Sequence, residues 1–227
     1  MALSRYFPYV LIAGAHLAGI VLQTTWLTQW TKPLLLPLLA IGFYANAQNR
    51  LRAPWQMVCI FFFSWMGDVL LQIPGTTFFL AGLGSFLLAQ ISYSSFFIQF
   101  PPKGPGVLAH KPWQAIPYFL YLGGMLWILW PGLDPALRIP VAVYSVFLVG
   151  MGLTAFGFRQ KTKTTWGWWI IVGSILFILS DSLIALDRFS EMAVWHPRFS
   201  IMITYILAQF FLINGIDRAL GITQPRP

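Results

Sequence analysis

The sequence predicts an all-α integral membrane protein of eight transmembrane helices. Three observations carry this expectation. The composition is 58% hydrophobic and only 9% charged, with a mean hydropathy of +0.71, outside the range of water-soluble domains. The apolar residues fall into about eight runs near the length needed to cross a hydrocarbon layer. Trp and Phe are abundant, with 11 and 20 copies, as expected where aromatic rings line membrane interfaces.

In chain order the expected spans are 7–23, 32–47, 54–73, 76–99, 112–130, 138–157, 165–185 and 198–215. The second and eighth are short for a crossing. Pro33, Pro54, Pro112 and Pro140 fall in or near first turns, where a missing N–H does no harm. Pro37 and Pro117 lie further in and are expected to kink their helices. No signal-peptide cleavage pattern precedes the first run, which is expected to be retained. The segment 101–112, PPKGPGVLAHKP, is the one substantial linker. It divides a single membrane domain, 1–227, into halves of about 1–100 and 112–220.

An even number of spans puts both termini on one side. That side gathers ten basic residues: Arg5, Arg50, Arg52, Lys103, Lys111, Arg159, Lys161, Lys163, Arg218 and Arg226. The other gathers four, Lys32, Arg138, Arg188 and Arg198. The excess of positive charge marks the cytoplasmic side. The net charge of +8 thus reads as topology, and no nucleic-acid partner is expected.

The halves also echo one another. Gly67-Asp68-Val69-Leu70-Leu71 in the third span matches Ser180-Asp181-Ser182-Leu183-Ile184 in the seventh. Leu88-Ala89-Gln90 in the fourth matches Leu207-Ala208-Gln209 in the eighth. Lys32-Pro33 and Arg138-Ile139-Pro140 open the second and sixth. Matching spans lie four apart and run in the same direction, as in two parallel four-helix repeats.

Asp68 and Asp181 are the strongest candidates for chemistry. A carboxylate inside an apolar run is unfavourable by about 2.5–3.5 kcal/mol even on insertion scales, and it marks a site or a pathway. Asp68 falls about 21 Å into its span and Asp181 about 24 Å into its own, at 1.5 Å per residue. Both are expected at one level in the outer part of the membrane. The bland alternative is helix-to-helix hydrogen bonding, or an ion pair between an Asp and Lys32. Two neighbouring buried carboxyls do not both ionise easily, so one is expected to keep its proton. One acid beside one carboxylate is the equipment of general acid–base catalysis. Ser180 and Ser182 supply hydroxyls beside Asp181.

Lys32, Tyr93, Tyr144, Tyr205, Gln90 and Gln209 are expected to face the same cavity as substrate-binding groups, together with Ser180. Lys32 reads equally as an interfacial anchor, the tyrosines as packing residues, and the glutamines as interhelical glue. Lys32 and Arg198 are the expected contacts for a headgroup. Asp187, Arg188 and Glu191 read as solvated loop charges. Cys59 is the single cysteine and His16, His110 and His196 are dispersed, so no metal site is expected. A serine-hydrolase elbow and a phosphate-binding loop are both missing from the sequence.

The order of motifs resembles the YhhN-like lysoplasmalogenase family. The residues that carry it are Lys32-Pro33-Leu34, Pro37-Leu38-Leu39, Phe63-Ser64, Gly67-Asp68, Leu70-Leu71, Gly82-Leu83, Phe86-Leu87 and Tyr93. It continues with Phe177, Ser180-Asp181-Ser182, Leu183, Thr204-Tyr205 and Ala208-Gln209. The resemblance implies a multi-helix membrane enzyme, an ether hydrolase, that cleaves the vinyl ether of a lysophospholipid, lysoplasmalogen. The products are a fatty aldehyde and a glycerophospho-base, and no cofactor is involved. It also implies a bacterial inner-membrane location among membrane lipids. The family often has His after the Ala of the fourth span. Here that position is Gln90, so a proton-transfer role for the histidine does not carry over. A proton-coupled transporter and a non-catalytic lipid-binding protein are the competing expectations.

Overall fold

The computed structural model describes residues 4–45, 55–100, 111–162 and 165–222. Among the described residues there are eight α-helices and no strand. They are α1 (Phe7–Val21), α2 (Thr25–Tyr44), α3 (Trp55–Leu70), α4 (Thr76–Gln99), α5 (Ile116–Leu129), α6 (Pro135–Thr162), α7 (Trp166–Phe189) and α8 (Pro197–Ile222). Short 3₁₀ turns cover Ser4–Tyr6, Pro112–Ala115 and Trp130–Gly132. Five segments are long and apolar enough to cross a membrane: Thr76–Gln99, Pro112–Gly132, Pro135–Thr162, Trp166–Phe189 and Pro197–Leu220. With this composition the chain is an integral membrane protein. The linker core, 101–110, lies outside the described residues, as does Pro54.

The helices follow the expected spans, with two instructive departures. α2 begins at Thr25 rather than near 32, after Gln23 (φ 53) and an extended Thr24 turn the chain. Pro33 is therefore inside the helix, not in its first turn, and Pro37 follows one turn later. Pro37 has no N–H for the Pro33 carbonyl, which instead accepts a hydrogen bond from the Trp65 indole of α3 at 3.0 Å. A carbonyl freed by proline and re-satisfied by a neighbouring helix is how such breaks are tolerated in membranes. Pro117 sits at the start of α5 and kinks nothing, whereas Pro140 lies inside α6. α8 runs to Ile222 and is 26 residues long, not short.

Neighbouring helices alternate in direction. Gln56 at the start of α3 meets Gln99 at the end of α4 (2.9 Å), and Gln114 before α5 meets Gln160 near the end of α6 (3.1 Å). Arg5, ahead of α1, pairs with Asp217 near the end of α8 at 2.6 Å, and the Tyr6 hydroxyl donates to the same carboxylate at 2.9 Å. The segment just ahead of α1 and the last turns of α8 thus meet at one end of the bundle.

The tightest packing joins α7 to α8 and α3 to α4. Glycines permit it. A Cβ on Gly173 would stand 2.7 Å from the Leu212 nitrogen, and one on Gly67 would stand 2.5 Å from the Phe86 ring. Small residues at such contacts let backbones approach, the usual basis of helix association in lipid. Two apolar clusters result. The larger fills the bundle from Tyr6 and Phe43 to Phe177 and Ile213. The smaller, Phe79, Leu129, Leu133, Leu137, Val141 and Phe189, closes the opposite end of α4–α7. α5 is peripheral, with Phe119, Leu120 and Trp127 exposed on its outer face.

Candidate active site

Asp68 sits two residues before the end of α3 and is buried. Its Oδ2 accepts the Tyr205 hydroxyl of α8 at 2.8 Å, and its Oδ1 lies 3.8 Å from Lys32 Nζ of α2. Because α2 starts early, Lys32 is two turns inside its helix, with a side chain only 16% exposed. That geometry makes it the counter-charge of Asp68, not an anchor snorkelling to headgroups. Buried charges persist when paired in this way. The adjacent Thr31 hydroxyl donates to the Leu27 carbonyl at 2.6 Å and so accepts from His16 Nδ1 at 2.8 Å.

Asp181, on α7, has a different environment. Its Oδ2 accepts the Tyr144 hydroxyl of α6 in a short hydrogen bond, and Gln90 Nε2 of α4 approaches at 3.5 Å. Among the described residues no hydrogen bond reaches its Oδ1 and no cation pairs with it. Asp181 lines a narrow, mostly apolar cleft between α4, α5, α6 and α7, with a cavity volume of about 60 Å³. Tyr121, Tyr144, Ser145 and Ser182 are the other polar groups in its wall, among Phe79, Leu83, Phe86, Met125, Val141 and Phe189. Asp68 does not line this cleft.

A hydrogen-bonded network runs behind the cleft. Gln209 Nε2 donates to the Tyr205 oxygen at 3.3 Å, and Tyr93 donates to Gln209 Oε1 at 2.8 Å. Tyr93 stands three residues from Gln90 on α4, one turn along the same face. The rings of Phe86 and Phe177 meet Tyr205 edge-on, with centroids 5.9 and 6.0 Å away. Each Asp thus takes a donor from the other half of the chain: Asp68 from α8, Asp181 from α4. Gln90 Oε1 and Ser64 Oγ, one turn before Asp68, are buried without a hydrogen-bond partner.

Five of the residues singled out in the sequence therefore gather at the carboxylates: Lys32, Tyr205 and (through Tyr205) Gln209 at Asp68, Tyr144 and Gln90 at Asp181; a sixth, Tyr93, joins the Asp68 group through Gln209. Ser180 and Ser182 do not serve Asp181. Ser180 is turned to the Ile201 carbonyl (3.1 Å), and Ser182 donates to the Ile178 carbonyl (2.6 Å) while bonding Tyr121. Hydroxyls on a helix take backbone acceptors one turn back, or on the helix packed alongside, in preference to an adjacent residue's side chain. Arg198 is exposed at the start of α8 and is not a cleft residue. Tyr121 was not legible in advance, because α5 is apolar on every face. Among the described residues no three His, Cys, Asp or Glu side chains gather as a metal site.

Two carboxyls inside an apolar helical bundle, one charge-paired and one open to a cleft, form the candidate site of this integral membrane protein. The chain belongs to the YhhN family, whose model matches residues 27–216. It is 35% identical over 158 residues to a lysoplasmalogenase of Mycobacterium bovis, covering 67% of this chain and 56% of that protein. It is 32% identical over 149 residues to lysoplasmalogenase TMEM86B of Homo sapiens, covering 66% and 58%. Lysoplasmalogenase TMEM86A of Bos taurus is 31% identical over 156 residues, with coverage of 66% and 60%. The chain thus spans little more than half the length of the curated relatives it matches. No solved structure matches.

Proposed function

We propose that the protein is a lysoplasmalogenase, hydrolysing the vinyl ether of lysoplasmalogens to a fatty aldehyde and a glycerophospho-base. The observation that carries this reading is Asp181. It is a carboxyl with one bare oxygen at the wall of an apolar cleft, a lining suited to the alkenyl chain of a single-chain amphiphile. The names of the relatives support the same activity.

Vinyl-ether hydrolysis starts with proton transfer to the β-carbon, which leaves an oxocarbenium ion. Asp181 donates that proton from Oδ1, while Oδ2 is held by Tyr144 and Gln90. Asp68, matched by Lys32, supplies a fixed negative charge in the same low-dielectric interior. Its field, carried through Tyr205, offsets the cation that forms. Water adds to the oxocarbenium carbon and its proton returns to the Asp181 carboxylate. The hemiacetal then collapses to aldehyde and glycerol hydroxyl. This division of labour resembles that of paired carboxyls in glycoside cleavage. Gln90 cannot relay a proton; from behind the cleft its Nε2 helps hold Asp181 Oδ2.

In this reading all eight helices cross the membrane, arranged as two parallel four-helix halves. Both termini are cytoplasmic in a bacterial inner membrane. The crosswise bonds of α8 to Asp68 and of α4 to Asp181 support the pairing of halves. The meeting of the segment ahead of α1 with the last turns of α8, at Arg5 and Asp217, supports an even number of crossings.

The test is aldehyde release by purified protein from lysoplasmalogen and from its saturated 1-O-alkyl analogue. Release from the vinyl ether alone is expected. Absence of release, together with solute counterflow in proteoliposomes, would favour a carrier instead.

A further inference from the structure

Two arginines stacked on rings that line or adjoin the cleft have no role in the mechanism above. Arg188, in the last turn of α7, places its guanidinium 4.1 Å from the Phe79 ring centroid and 5.9 Å from that of Phe189. Both rings line the cleft. Arg138, near the start of α6, lies 5.2 Å from the Trp130 ring, next in sequence to the cleft residue Leu129. The 3₁₀ turn Trp130–Gly132 is docked on α7, since a Cβ on Gly132 would fall 1.9 Å from the Phe189 carbonyl oxygen. The two cations therefore both pack beside one apolar cluster, Arg188 on its Phe79 and Arg138 on Trp130 next to its Leu129.

Neither arginine has a carboxylate within salt-bridge distance among the described residues, although Asp134, Asp187 and Glu191 are close in sequence. Arg138 Nε is buried and has no hydrogen-bond partner. A buried guanidinium N–H left open beside a cleft is an unfilled donor, and planar guanidinium forks match phosphate oxygens.

We propose that Arg138 and Arg188 form the phosphodiester-binding subsite of the cleft and set its preference for phosphorylated amphiphiles. This rests on the lipid-substrate reading above. It moves headgroup recognition from Lys32 and Arg198 to the other two basic residues of that side. Arg188 is seven residues beyond Asp181, and Arg138 six before Tyr144, so both lie about 10 Å along the helix axes from the carboxyl. In a lysoplasmalogen the glycerol carbons and one ester oxygen separate the ether oxygen from phosphorus. Arginine side chains bent toward the cleft span the remainder. Stacking on Phe79 and Trp130 holds the guanidinium planes beside the cleft while leaving N–H groups for the anion.

The experiment measures binding, so it does not depend on turnover. Purified full-length protein in uncharged detergent is titrated with saturated 1-O-alkyl glycerophosphoethanolamine and with 1-O-alkylglycerol of the same chain. The readouts are tryptophan fluorescence and thermal shift. The phosphorylated ligand should bind at least about tenfold more tightly, the scale of charge-assisted hydrogen bonds. The Arg138→Gln/Arg188→Gln variant should lose most of that preference, weakening the phosphorylated ligand selectively. On the unaltered protein, rising NaCl should erode the same preference, which keeps the test intact if the variant misfolds. Equal affinity for the two ligands in the unaltered protein would overturn the proposal. So would a folded double variant that keeps the preference. Displacement of the phospholipid by millimolar inorganic phosphate would assign the arginines to a free anion and also overturn it. A phosphate preference without aldehyde release would contradict the hydrolase while leaving the subsite standing. Aldehyde release with unchanged KM in the variant would do the reverse.

Discussion

At the scale of residues, the two aspartates differ in what surrounds them. Asp68 has Lys32 and Tyr205, while Asp181 has Tyr144, Gln90 and the open cleft. Asp68→Asn and Asp181→Asn keep shape but remove charge and proton donation. Each folded variant should lose at least about 10²-fold in kcat, the lower range for general acid–base work. The double variant should fall little further, since residues acting as a unit are not additive. Lys32→Met should mainly lower kcat, because it strips the counter-charge from a buried carboxylate. A rise in KM at constant kcat would return Lys32 to the headgroup. The aspartates were legible in the sequence because a charge in an apolar run has no ordinary explanation. The ion pair of Lys32 with an Asp was among the alternatives the sequence offered, but which Asp, and how deep Lys32 lies, was not legible. Its depth depends on where α2 begins, and the polar stretch 23–31 hid seven residues of helix. Tyr121 and the Arg138 stacking were hidden for another reason: in a segment apolar all round, no periodicity tells which face a residue takes.

At the scale of elements, α2–α3 and α7–α8 hold the site in register. The Trp65 bond to the Pro33 carbonyl fixes α3 against α2 beside the Lys32–Asp68 pair. Trp65→Phe should destabilise the protein by about 1 kcal/mol, the net worth of a hydrogen bond, with a fall in kcat. An unchanged melting temperature and rate would make the bond incidental. A Cβ on Gly173 would meet backbone, the Leu212 nitrogen at 2.7 Å and the Ala208 carbonyl oxygen at 3.0 Å, which cannot give way as a side chain can. Gly173→Val should destabilise by about 1–3 kcal/mol, the range for overpacking, read as thermal unfolding in detergent. Prolines were the least informative local signal. Four of them suggested first turns, yet Pro33 and Pro140 lie within helices, and at Pro33–Pro37 the freed carbonyl is taken by Trp65 of the neighbouring helix.

At the scale of the whole molecule, the ten-to-four distribution of basic residues predicts which end faces the cytoplasm. With Cys59 replaced by serine, single cysteines at Lys111 and Lys161 should resist a membrane-impermeant maleimide applied from outside. Cysteines at Asp134 and Met192 should react. The opposite pattern would invert the molecule and turn Arg138 and Arg188 toward the cytoplasm. The order of eight helices was readable from the eight apolar runs, although the start of α2 and the end of α8 were not. The cleft was not, because it arises from how α5 rests loosely on α6 and α7, a matter of three-dimensional packing.

The central claim is proton transfer from a carboxyl to carbon, and deuterium oxide tests it most directly. The purified protein is given lysoplasmalogen in D₂O, and the aldehyde is trapped at once and weighed by mass spectrometry. Protonation of the vinyl-ether β-carbon predicts an aldehyde carrying one deuterium at the carbon next to the carbonyl, formed with a normal solvent isotope effect. Asp181→Asn should give none above background. An aldehyde with no deuterium at that carbon, or labelled aldehyde formed by folded Asp181→Asn at the unaltered rate, would contradict it.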